Sequence, residues 1–177
     1  IFAGQTLDIP LSTDPETFAV TDLNCNGTLE RVRLIPDPTR LAGEPQRYAA
    51  LTVENTDARG LYQTTASTLA GIGPAALTNP VLLPAGPCWF LIGAELSGGG
   101  FRVYHLAGNT LEIALDAPGE LVSLGEPAIP YMIQLQTFTQ TGPPTGTTCT
   151  RTLATYVWSV PRFDLQSQTT EPADCTK

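Results

Sequence analysis

Glycine or proline interrupts this chain every few residues, with 16 of each among 177 positions. Proline fixes φ and removes a backbone donor, and glycine weakens helix interiors, so together they cut the sequence into short stretches. Long helices are excluded, and what remains is short strands between turns. The expected fold class is all-β: an antiparallel β-sandwich, jelly-roll or Ig-like, of about 10–12 short strands with little helix. Hydrophobic residues make up 42%, enough for a buried core, and the length suits a single domain over residues 1–177.

The strands follow from alternation. In residues 5–11, apolar Leu7, Ile9 and Leu11 alternate with Thr6, Asp8 and Pro10, the two-residue period of a half-buried strand. Pro10 cannot donate to a ladder, so residues 1–11 are expected at a sheet edge. Such an edge strand can exchange into a neighbouring subunit, with Leu7, Ile9 and Leu11 as the subunit contact. Further strands are expected at 17–23, 28–35, 47–54, 61–68, 81–83, 88–96, 101–106, 110–116, 120–124, 129–139 and 150–160. Asn26-Gly27 has the composition of a type I′ turn, which would point Val32 and Leu34 inward and Arg31 and Arg33 outward. Trp89, Phe90, Leu91 and Ile92 run without a polar break, as in a central strand buried on both faces. The only helix expected is one turn near residues 64–70. Residues 70–87 are expected as a long loop around the short strand 81–83, and the tail from Gln166 as polar chain anchored by Cys175.

Charge and sulfur bound the function. Only 15% of residues are charged and Lys occurs once, at Lys177, while 25 Thr supply much of the polar surface. A net charge of −8 with scattered Arg removes the electrostatic basis for a nucleic-acid partner. Arg31, Arg33, Arg40 and Arg47 are interspersed with Glu30, Asp37 and Glu44, which reads as a mixed solvated face. No apolar run reaches the roughly 18 residues of a bilayer span, so no transmembrane segment is expected and the chain reads as a mature or truncated soluble form. Cys25, Cys88, Cys149 and Cys175 lie far apart, beside a single His105. That is a poor zinc set and a fair disulfide framework, with Cys25–Cys88 and Cys149–Cys175 the favoured pairs. Disulfides place the chain in an oxidising compartment, secreted or at the cell surface.

The strongest local motif is Asp22-Leu23-Asn24-Cys25-Asn26-Gly27-Thr28-Leu29-Glu30. Oxygen-bearing side chains at Asp22, Asn24, Asn26 and Glu30, Gly at the sixth place and the Thr28 carbonyl make a candidate Ca2+ loop, the one cofactor the sequence suggests. A plain hairpin with local side-chain to backbone bonds is the competing reading. Asn26-Gly27-Thr28 is also a glycosylation sequon, so a glycan is a candidate partner there.

Catalytic patterns are sparse, and the expectation is no enzyme. A serine triad needs a histidine base, and His105 sits in an apolar strand where packing explains it. No nucleophile elbow or phosphate loop occurs. A two-carboxylate glycoside hydrolase stays open in principle, with no acidic pair singled out. Trp89, Tyr104, Tyr156 and Trp158 are a candidate sugar-stacking platform, for which burial is the first explanation.

Residues 2–9, Phe-Ala-Gly-Gln-Thr-Leu-Asp-Ile, resemble the opening of TasA-like and camelysin-like surface proteins, jelly rolls that form extracellular fibres. Residues 22–34 with 151–164 resemble the β-rich head of minor pilins. Both resemblances imply an extracellular appendage. The functional expectation is therefore a secreted or cell-surface structural or adhesive β-sandwich, a subunit of a filament, pilus or envelope layer whose partners are copies of itself or other surface subunits. The alternative is a calcium-stabilised carbohydrate-binding module.

Overall fold

The computed structural model describes residues 15–86, 89–124, 131–142 and 147–175. Among the described residues, twelve antiparallel strands account for nearly all regular structure: β1 (Glu16–Thr21), β2 (Glu30–Pro36), β3 (Tyr48–Thr56), β4 (Tyr62–Leu69), β5 (Leu77–Pro84), β6 (Phe90–Leu96), β7 (Phe101–Ala107), β8 (Thr110–Ala117), β9 (Glu120–Leu124), β10 (Met132–Thr141), β11 (Thr148–Ser159) and β12 (Arg162–Ala173). The expected all-β sandwich is the fold. Its first sheet runs β1-β2-β3-β5-β6-β7-β8 with β4 also on β3, and its second runs β12-β11-β10-β9.

The first sheet is two ribbons joined at a corner. β4 takes the edge of β3 from Ala50 to Thr56, and β5 meets β3 only where Tyr48 faces Leu77. The two halves then bury a common core in which Val32, Leu34, Leu51 and Val53 pack with Ile92, Ala94, Tyr104 and Leu106. A second core lies on the other face of β5–β8, where Leu83, Leu91, Phe101 and Val103 meet Ile133, Leu135, Trp158 and Phe163 of the four-stranded sheet. The strands β5–β8 are thus covered on both sides.

That position explains the unbroken apolar run in β6: Leu91 enters one core and Ile92 the other. Between the strands, Gly93 is required by closeness. A Cβ there would stand 2.9 Å from both Leu83 Cδ1 and Phe101 Cζ. In β7 the alternation is strict, with Phe101 and Val103 facing the second core and Tyr104 and Leu106 the first.

Several local expectations are corrected. Residues 64–70 are no helical turn; they belong largely to β4, and the one helical segment among the described residues is a 3-10 turn at Gly73–Ala75. The loop expected at 70–87 carries the eight-residue β5. The tail from Gln166 is the far part of β12, a twelve-residue strand whose Gln, Ser and Thr show no apolar period because every residue from Asp164 through Pro172 is exposed. Val32 and Leu34 are buried as expected, but the β1–β2 connection is wider than a type I′ turn. Thr21 pairs with Glu30, and the positive-φ residues are Cys25 (61°) and Gly27 (81°), not Asn26.

The mixed face around Asp37 is also not solvated. Asp37 is 2% exposed. It accepts the Thr39 N–H (2.8 Å), the Thr39 hydroxyl (2.7 Å), the Gly73 N–H (2.9 Å) and Arg47 Nε (2.7 Å). One carboxylate therefore ties the loop after β2 to the 3-10 turn before β5.

Candidate functional site

The loop between β1 and β2 gathers most of the chemistry read from the sequence. Asp22 Oδ1 accepts the N–H groups of Asn24 (3.3 Å) and Asn26 (3.2 Å), and Asp22 Oδ2 accepts that of Gly27 (2.8 Å). Asn24 Oδ1 accepts the Asn26 N–H at 3.2 Å, and Asn26 Oδ1 accepts the Thr28 N–H at 2.7 Å. Left-handed Cys25 and Gly27 let the chain curl around these oxygens. The loop is held from outside as well. Asn24 forms a β-bridge with Trp89, and Cys25 is disulfide-bonded. Thr28 is exposed, as is Asn26 of the sequon.

Glu30 closes the loop and differs from the rest. It is fully buried, its Oε2 accepts the Leu23 N–H at 2.7 Å, and its Oε1 has no hydrogen-bond partner. Burial pushes its carboxyl above the usual range. The Leu23 N–H works against that rise, and the negative charge of Asp22 adds to it. The nearby guanidinium groups serve other partners: Arg31 bonds Glu54, and Arg33 bonds the Pro15 carbonyl.

A second cluster surrounds His105. Its ring lies 5.8 Å from that of Trp89 and 5.6 Å from that of Trp158, which in turn lies 5.2 Å from Phe163. His105 is 8% exposed and its Nδ1 has no hydrogen-bond partner, so it is a packed histidine. Burial lowers its pKa, with a partial opposing pull from Glu112 across the β7–β8 pair. The unfolded chain therefore takes up a proton that the folded chain resists. Stability is expected to hold above the ordinary histidine pKa near 6.5 and to fall as pH drops below it. Urea midpoints at neutral and mildly acidic pH for the parent and His105→Gln check this, with the variant expected to lose that part of the pH dependence.

Of the aromatic platform, Trp89, Tyr156 and Trp158 come together in or against the second core, and Tyr104 lies apart from them. Tyr104 is 1% exposed and packs in the first core, whereas Trp158 is 8% exposed and packs in the second. An open groove of about 620 Å³ lies instead at the β3–β5 corner, lined by Tyr48, Asn79, Glu95, Leu96, Gly100 and Glu120 among others. Asn79, itself left-handed (φ 46°), donates to Glu95 at 2.6 Å. The sequence did not single out this groove, because it exists only where β5 parts from β3.

The sulfur framework is directly visible in part. Cys149 and Cys175 are bonded with Cα atoms 5.3 Å apart, as expected, and no cysteine among the described residues is free. Cys88, the expected partner of Cys25, lies outside the described residues, as do Leu7, Ile9 and Leu11. Among the described residues no helix is long and apolar enough to cross a membrane, and no group of three or more His, Cys, Asp or Glu side chains is placed to hold a metal.

Comparison with known proteins gives no match: no family model, no curated protein and no solved structure is similar to this chain. The resemblances read from residues 2–9 and 22–34 gain no support from it.

Proposed function

We propose that this chain is a secreted or cell-surface structural protein whose copies associate by adding a strand to the open edge of β12. The observation that carries the reading is the edge itself. Twelve residues long, β12 pairs only with β11 among the described residues, and from Asp164 through Pro172 all its residues face solvent. Edge strands of monomeric proteins are usually short, covered or studded with Lys to prevent such pairing. Here the stretch Gln166-Ser167-Gln168-Thr169-Thr170 carries no charge at all.

The proposed occupant is residues 1–11 of a neighbouring copy, whose alternating Leu7, Ile9 and Leu11 suit strand addition. The Cys149–Cys175 bond, joining the open ends of β11 and β12, supports an oxidising, extracytoplasmic setting. Light scattering and negative-stain microscopy over a concentration series test the reading. The parent chain is expected to form oligomers or fibres. Deletion of residues 1–11, or the pair Gln168→Lys and Thr170→Lys, is expected to return monomers. A parent chain that stays monomeric at high concentration defeats the proposal.

A further inference from the structure

The fully buried Glu30 presents a problem that the protein's own groups solve only in part. Its Oε1 has lost water and gained no donor, while Asp22 adds a second negative charge nearby. Leaving a carboxylate oxygen unpaired in the interior is costly unless a proton or a cation satisfies it. The Asn26 side chain and the Glu30 backbone N–H act on the carboxyl more weakly than the Leu23 N–H, and the loop is otherwise rich in oxygens: the carboxylate of Asp22, the side-chain oxygens of Asn24 and Asn26, and the backbone carbonyl of Thr28 belong to the same nine residues. The pairing of Thr21 with Glu30 brings the two ends of the loop together, so its first and ninth residues are neighbours.

We infer that residues 22–30 form a calcium site, with Glu30 Oε1 and Asp22 as the charged ligands and Asn24, Asn26 and the Thr28 carbonyl completing an all-oxygen set. Oxygen ligands of mixed charge in a flexible loop suit Ca2+, whereas Mg2+ demands a stricter octahedron and holds its waters. Two carboxylates place the affinity in the weak class, with Kd on the order of 10⁻⁴–10⁻³ M, which fits an extracellular ion concentration. The bound ion would lock the β1–β2 connection and, through the Asn24–Trp89 bridge, the approach to β6. The site stands whether or not the chain assembles through β12.

Calorimetric titration with CaCl2 and thermal melting in EDTA, ~10 mM CaCl2 and ~10 mM MgCl2 test it. Calcium is expected to raise the melting temperature by about 3–8 °C and to bind with one site per chain, with magnesium giving a clearly smaller shift. Glu30→Gln and Asp22→Asn are expected to abolish the calcium shift. Asn24→Ala, which leaves both carboxylates in place, is expected to weaken it several-fold and covers the case in which a carboxylate variant does not fold. A flat titration of the parent chain, an equal response to magnesium, or an undiminished calcium shift in the variants overturns the inference.

Discussion

Phe101→Ala is expected to cost about 3–5 kcal/mol and to lower the melting temperature by roughly 8–15 °C. Phe101 is fully buried at the start of β7, in the core shared with the four-stranded sheet. Its ring lies where a side chain on Gly93 would otherwise stand, so truncation leaves a cavity next to backbone that cannot collapse into it. Urea unfolding with an unchanged m-value checks the magnitude, and a loss below about 1 kcal/mol would show that the two sheets are not held together there. The same geometry predicts coupling. Gly93→Ala should cost less in the Phe101→Ala background than in the parent, although Leu83 Cδ1 still crowds the position.

Asp37→Asn is expected to cost about 2–4 kcal/mol, because it strips the charge from a fully buried group held by several donors and leaves Arg47 only its contacts with Glu44 and the Thr39 carbonyl. Burial alone would raise the pKa of Asp37. Hydrogen bonds from Thr39, Gly73 and Arg47 more than offset this and bring it to about 2, against an ordinary 3.8. A depressed carboxylate pKa contributes stability that is complete above the unfolded value and disappears as pH falls through the folded one. The contribution is on the order of 2.5 kcal/mol, full above about pH 5 and gone below pH 2. Acid titration of the urea midpoint should show a steeper decline for the parent than for Asp37→Asn. Parallel curves would mean that this carboxylate does not drive acid unfolding.

The residues that announced themselves in the sequence are those whose burial follows the strand period. Leu91 and Ile92 lie in an unbroken apolar run because β6 is covered on both faces, and Val32 and Leu34 alternate because β2 is covered on one. β12 gave no such signal. Where neither face of a strand is buried, sequence carries no period, and only the partner strand β11 defines it. Asp37 was illegible for a related reason: its donors Gly73 and Arg47 are 36 and 10 residues away, and a carboxylate among arginines looks the same in sequence whether solvated or enclosed. The loop at residues 22–30 was visible as a row of oxygen-bearing residues, but not which of them is buried. That distinction depends on Leu23, whose buried side chain draws Glu30 inward through the bond to its N–H.

The sulfur bridge between Cys149 and Cys175 also determines how the molecule would respond to being pulled. Tension entering at Cys175 passes straight across to Cys149 and leaves the intervening hairpin unloaded. A segment with a sequence separation of 26, equal to about 85–95 Å of extended chain, is withheld as slack that only a reductant can release.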